Sequence, residues 1–150
     1  NNIQKAAVIG CGFVGSSIAF TLMQSGIFSE LVLIDAPGKA EGEAMDLSHG
    51  LPYTASMRIY AGDYDDVALR QVIVTAGANQ KPGETRLDLI GKNVAILKSI
   101  IPQLTSRNFK GILMIVSNPV DVLTYAAWRL SGLPAHRVIG SGTVLDTARL

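Results

Sequence analysis

Cysteine is almost missing from this 150-residue sequence. Cys11 is the single thiol, so no internal disulfide forms, and a cytosolic compartment is the default expectation. Aromatic residues make up 6% and form no interleaved series on which nucleic-acid bases would stack. Neither sign of charge dominates: 13 Lys and Arg against 12 Asp and Glu leave a net charge of +1. Without a basic cluster, neither nucleic acid nor a membrane surface is an expected partner. No uninterrupted apolar run approaches the roughly 20 residues that span a bilayer. The opening Asn1-Asn2-Ile3-Gln4-Lys5 does not read as a secretory signal. No metal site is expected.

Apolar residues, by contrast, are plentiful: 48% of the chain, with a mean hydropathy of +0.31. Parallel strands buried on both faces account for part of that. The remainder suggests surface that faces another domain or subunit. The length fits one domain, residues 1–150, with enough chain to bury a real core.

The most informative stretch is near the start. Ala6-Ala7-Val8-Ile9 reads as a buried strand and runs into Gly10-Cys11-Gly12-Phe13-Val14-Gly15, a G-x-G-x-x-G turn, before a helix over 16–23. Gly10 allows the tight turn, Gly12 lets a pyrophosphate approach the backbone, and Gly15 lets helix and strand pack closely. The helix start offers unpaired N–H groups and a positive dipole end to an anion. A second apolar run, Leu31-Val32-Leu33-Ile34, ends in Asp35, 20 residues after Gly15. That is where a dinucleotide fold places the carboxylate that binds the adenosine ribose hydroxyls. With strand, turn, helix, strand and acid in order, this outweighs an ordinary helix cap or turn role for Asp35. Cys11 lies at a helix start, where a thiol pKa can be lowered, but a small spacer between two glycines is the simpler role.

Further strands are expected over 57–60, 72–75, 112–116 and 137–140. Helices are expected over 39–47, from about 87 to 106, and over 120–130, with one helical turn at 67–70 and another helix opening after Gly142-Thr143. Leu89, Val94, Leu97, Ile100, Ile101 and Leu104 give the long helix its apolar face. Pro119 fits the fixed φ of a first helical turn. Six strands separated by helices or crossovers indicate an α/β, doubly wound, Rossmann-type six-stranded parallel sheet of order 3-2-1-4-5-6. In such sheets ligands sit at the carboxyl ends of the strands. The glycine turn, Asp35, Thr75 to Arg86, Ser117-Asn118 and Ser141 to Arg149 all follow strand ends, so they fall on one edge.

At these residues the chain resembles the L-lactate/malate dehydrogenase family, and within it the L-lactate dehydrogenases. The segments GCGFVGSS, LVLIDA, GEAMDLSHG, TAGANQKPGETRLDL, KNVAILKSI, VSNPVDVLTYAAW, SGLP and HRVIGSGTVLDTARL carry it, and NQKPGETR and SNPVD are the most specific. The resemblance implies NAD as cofactor, with Gly10, Gly12, Phe13, Val14 and Gly15 at the pyrophosphate and Asp35 on the ribose. An acid there repels a 2′-phosphate and favours NAD over NADP. Lys39 and Tyr64 match positions near the adenosine half. Thr75, Ala76, Gly77, Ala78, Ser99, Val116, Asn118 and Ser141 match other cofactor contacts. The implied chemistry is hydride transfer between the nicotinamide and a small 2-oxo or 2-hydroxy acid, pyruvate or lactate, as in glycolysis. Arg86, on a lid loop, matches the residue that polarises the substrate carbonyl. Arg149 matches the arginine that grips the carboxylate, and Asn118 the residue that orients substrate and nicotinamide. Gln80 matches the specificity position, where a neutral amide favours pyruvate over oxaloacetate. Asp146 matches the acid that orients a catalytic histidine. The family is homo-oligomeric.

That histidine belongs to a later His-Gly-Asp segment, which this sequence does not contain. His49 and His136 are both expected on the opposite sheet edge. Crossing three strand residues takes roughly 10 Å, whereas proton transfer needs about 3 Å or one bridging water. The sequence therefore reads as the NAD-binding domain without the substrate domain, an isolated or engineered piece with little or no turnover. The alternative is a dinucleotide-binding module that does not turn over at all. A methyltransferase on the same sheet would leave the glycine spacing and NQKPGETR without a job. Two departures from the family stand out: the turn Ala36-Pro37-Gly38-Lys39 looks shorter than usual, which bears on Lys39, and Val67 to Gln71 also looks short.

Overall fold

A strand covered by helices on both faces buries every side chain, so apolar runs without alternation belong at the centre of a parallel sheet. The computed structural model describes residues 4–54, 56–66 and 71–150. The helical turn expected over 67–70 lies outside the described residues. Six strands, β1 (Lys5–Ile9), β2 (Glu30–Ile34), β3 (Arg58–Ala61), β4 (Gln71–Val74), β5 (Ile112–Ile115) and β6 (Val138–Gly140), form one sheet. Every pairing is parallel and the order is β3-β2-β1-β4-β5-β6, as the sequence implied.

The period of two divides each strand between two cores. Ala7, Ile9, Val32, Val72, Val74, Leu113 and Ile115 face α3 (Arg86–Thr105) and α4 (Val120–Ser131), which bring Leu97, Ile101, Leu104 and Leu123. Ala6, Val8, Leu31, Leu33 and Ile73 face α1 (Phe13–Ser25) and α2 (Lys39–Gly50), which bring Ala19, Met23, Ala44 and Leu47. A short helix, α5 (Val144–Ala148), follows β6. The helix pairs therefore lie on opposite faces, and the chain changes face between β1 and β4. In open α/β sheets that reversal opens the crevice in which ligands bind.

Three boundaries differ from the sequence reading for physical reasons. Helix α1 starts at Phe13 rather than Ser16, because Gly12 is its N-cap, so the last three residues of the glycine motif belong to the turn and the helix at once. Arg86, expected on the loop, is the first residue of α3, since Thr85 and Asp88 form a reciprocal capping box just before it. Pro119 is the N-cap of α4 rather than inside its first turn, and the Asn118–Pro119 bond is cis. Helices α1, α3 and α4 all begin at the carboxyl edge of the sheet. Both histidines lie toward the other edge and are exposed: His49 in the last turn of α2, His136 in a 3₁₀ turn before β6.

Candidate functional site

The three motif glycines meet different surroundings. Gly10 adopts φ +100°, and a Cβ there would lie 2.5 Å from the Ala76 nitrogen. A Cβ on Gly15 would sit 1.8 Å from the Gly10 carbonyl oxygen, so only glycine lets α1 cross so close to the turn. Gly12 is the opposite case: its φ of −79° suits any residue, and a Cβ placed there would meet nothing within 4 Å. It is an open floor. The Thr75 hydroxyl donates to the Gly10 carbonyl at 2.6 Å and ties the turn to the end of β4. No side chain caps α1, so its first-turn N–H groups are free for an anion. A cavity of about 650 Å³ opens above, lined by Gly12, Phe13, Val14, Gly15, Lys39, Thr75 and Gly77 among others.

Asp35 follows β2 at the rim of this turn. Its carboxylate accepts the Cys11 N–H at 2.5 Å and the Ala36 N–H at 2.7 Å, and Lys39 Nζ lies 3.3 Å away. Burial by itself would raise its pKa. The two N–H donors and the ammonium outweigh that and hold the carboxyl below its ordinary value. Cys11 is buried, and burial, then the Asp35 charge, pushes its thiol up to about 11. A lowered thiol pKa is thereby excluded, and Cys11 is a neutral spacer. Tyr64 lies in a 3₁₀ turn after β3, with its ring half-buried against the α3-side core.

A second cavity, of about 680 Å³, continues along the same edge. Gln80, Arg86, Asn118, Asp121 and Thr143 line it. Among the described residues no ion pair involves Arg86. The loop before it is knitted together: Gln80 Nε2 donates to the Glu84 carbonyl at 2.9 Å, the Lys81 N–H donates to the Glu84 carboxylate at 3.1 Å, and Lys92 pairs with Glu84. Ala76, Val116 and Ser141 anchor the strand ends, donating to Ile9 at 3.0 Å, Val74 at 2.9 Å and Ile115 at 3.1 Å. Not every candidate is gathered here. Asp146 and Arg149 face each other at 4.0 Å, exposed, outside the walls of either cavity. Ser99 is exposed on α3, its hydroxyl on the Ile96 carbonyl. It stands 13 positions past Arg86, roughly 20 Å along the helix axis.

The lactate/malate dehydrogenase NAD-binding domain matches the chain over residues 4–140. The chain belongs to this family. The matched domain makes NAD(H) the cofactor, and the residues present fit it: an open Gly12 floor, uncapped helix N–H groups and a charged Asp35 carboxylate bonded to the glycine turn. An L-lactate dehydrogenase from Acetivibrio thermocellus is 56% identical over 149 residues, 98% of this chain and 47% of that protein. The crystal structure of a minor L-lactate dehydrogenase from Enterococcus mundtii in its ligands-bound form superposes with a TM-score of 0.94 at 46% identity, covering 97% of this chain and 48% of that one. The structure of MGS-M5, a lactate dehydrogenase from a deep-sea metagenome library of the Medee basin, gives 0.93 at 53% identity, covering 98% and 48%. The chain thus spans about half the length of the relatives it matches.

One buried residue of this lactate/malate dehydrogenase domain escaped the sequence reading. Asn93 is 3% exposed. Its Oδ1 accepts the Ala78 N–H at 2.7 Å and its Nδ2 donates to the Asn118 carbonyl at 2.7 Å. The signal was available: Asn93 falls four residues after Leu89 and four before Leu97, on the apolar stripe of α3. An amide in that stripe must find buried partners. Ser117 is similar, 7% exposed with its hydroxyl donated to the Ala76 carbonyl at 2.7 Å.

Proposed function

We propose that residues 1–150 are the NAD(H)-binding domain of an L-lactate dehydrogenase, an oxidoreductase that interconverts pyruvate and L-lactate in the cytoplasm. What supports this reading is that two cavities open at the ends of the same strands. The Gly12 floor lines one, with Asp35 bonded to its lining residues Cys11 and Lys39, and Gln80, Arg86 and Asn118 line the other. Asp35 would hold the adenosine ribose, Gly12 and the first turn of α1 would receive the pyrophosphate, and Gly77, Ala78 and Asn118 would hold the nicotinamide. NADH, when bound, supplies the hydride. Arg86 turns its guanidinium on the carbonyl oxygen, where negative charge develops. Asn118 donates to the same oxygen and fixes its orientation. Gln80, a neutral amide, leaves room for a methyl group and offers a second carboxylate no cation. Arg149 grips the substrate carboxylate through its bidentate fork, which requires its guanidinium to leave Asp146.

A second reading is carried by the histidines. Both lie away from the cavities, exposed and toward the opposite edge. Among the described residues no histidine is therefore within reach to donate a proton, a loss of about 10²–10⁴-fold in rate. On this reading they bind NADH and do not turn over. Apolar side chains left open on the outer faces, Phe20 and Tyr125 among them, fit a surface covered by another domain or by a second copy of the chain. Titration calorimetry with NADH tests cofactor binding. Pyruvate-dependent NADH oxidation, with Arg149→Ala as control, separates the readings: a rate that vanishes in the control supports the enzyme, and NADH binding with no rate supports the module. S-adenosylmethionine displacing NADH would revive the methyltransferase reading.

A further inference from the structure

We infer that Asn93 is a positioning residue: one buried carboxamide sets the spacing between the two loop walls that receive the nicotinamide. The inference rests on the dinucleotide reading above and names a group that reading does not use. Ala78 leads into the Gln80 loop, Asn118 ends the β5 loop, and Arg86 opens α3 two turns before Asn93. Three separate segments thus contribute to the second cavity, and Asn93 is bonded to two of them while standing on the third. Its partners are a backbone N–H on one side and a backbone C=O on the other. Only a neutral group with one acceptor and one donor satisfies both.

The polarity of that bridge makes it distinguishable from mere packing. A leucine has nearly the same volume but takes from the part-buried Ala78 N–H and Asn118 C=O the partners they have here. An ionised aspartate still accepts from Ala78, yet presents a second oxygen to the Asn118 carbonyl and repels it. A protonated aspartic acid accepts from one and donates to the other, which restores the bridge. The bridge joins the loops that wall the second cavity, whose lining does not include Asp35. Its loss therefore weakens ligands that reach the nicotinamide wall and spares those that stop at the ribose phosphates.

The experiment measures binding of NADH and of ADP-ribose by the 150-residue chain and by Asn93→Leu and Asn93→Asp, from pH 5 to 8. The expected result for Asn93→Leu is NADH affinity about tenfold weaker with ADP-ribose affinity within twofold of the parent. For Asn93→Asp, NADH affinity falls at pH 8 and recovers as the pH is lowered, again without a change in ADP-ribose. A role confined to stability would move the two ligands together and would give no recovery at low pH. If Asn93→Leu does not fold, the Asn93→Asp pH curve decides. A parent that binds both ligands, with an Asn93→Asp variant whose NADH to ADP-ribose ratio matches it at every pH, overturns this inference alone. A parent that binds neither overturns the dinucleotide reading, and this inference with it.

Discussion

Two glycines three residues apart give a test in which stability and binding separate. In Gly15→Ala the new methyl lies 1.8 Å from the Gly10 carbonyl oxygen and 2.8 Å from the Thr75 hydroxyl. The first neighbour is backbone, so α1 must move away from the turn. Overpacking of this kind costs about 1–3 kcal/mol, and a displaced helix falls at the upper end. For a chain of this size that lowers Tm by about 6–12 °C. In Gly12→Ala the methyl meets nothing within 4 Å, and the backbone conformation suits alanine. Reduced freedom of the unfolded chain stabilises by about 0.4–1 kcal/mol. The poorer helix cap offsets a similar amount, so Tm stays within about 3 °C. The same methyl occupies the floor that the pyrophosphate needs. Losing one charge-assisted N–H bond to a phosphate costs about 1.5–3 kcal/mol, a weakening of NADH of about 10- to 150-fold. Thermal melts by circular dichroism and NADH fluorescence titrations read the two quantities on the same samples. A Gly12→Ala protein that binds NADH like the parent refutes the placement of the phosphates. A Gly15→Ala protein that melts with the parent refutes the packing account.

Asp35→Asn keeps the shape of the rim and removes its charge. A unit charge pair about 4 Å apart is worth roughly 4 kcal/mol near a protein surface before salt screening, so the ratio of NADPH to NADH affinity should rise at least about tenfold in fluorescence competition. The folded Asp35 carboxyl is held below its ordinary value of 3.8, so the unfolded chain takes up its proton first as the pH falls. The associated stability is complete above about pH 4 and is lost below it, and urea melts of Asp35→Asn between pH 5 and 3 should show a shallower acid slope. Thr85→Ala removes the cap that places Arg86 at the first position of α3; it should cost about 1 kcal/mol in urea denaturation and weaken oxamate binding to the NADH complex while leaving ADP-ribose binding alone.

The sheet was legible because its strands are buried on both faces. Ala6 to Ile9, Leu31 to Ile34 and Val72 to Val74 are unbroken apolar runs, and the helices between them leave parallel pairing as the consistent topology. Asp35 was singled out by spacing alone. What it bonds to in the protein was not legible: the Cys11 N–H lies 24 residues away in sequence, and only the adjacency of β1 and β2 brings the two together. The start of α1 was hidden for a related reason. Gly12 serves as a cap and Phe13 to Gly15 as the first turn, so a motif that reads as a loop is half helix. Asn93 was hidden by the reverse effect, since a stripe defined by its apolar members draws attention away from the polar residue among them.

The position of the two cavities follows from one pairing. Ile9 and Val74 are in register at the ends of β1 and β4, yet the next segments leave in opposite directions, toward α1 on one face and toward α3 on the other. Two adjacent strands whose continuations diverge must open a gap at their ends. The Thr75 hydroxyl bonded to the Gly10 carbonyl closes the bottom of that gap, and the Asn93 amide spans its far wall. Gln80, Asn118 and Arg86 belong to the three segments that the second contact joins, whereas Ser99, Asp146 and Arg149 lie outside both cavities. The crevice is thus a consequence of sheet topology, while its width is set by two polar side chains on β4's continuation and on α3. Lengthening or charging either one alters the space for the ligand without changing the fold.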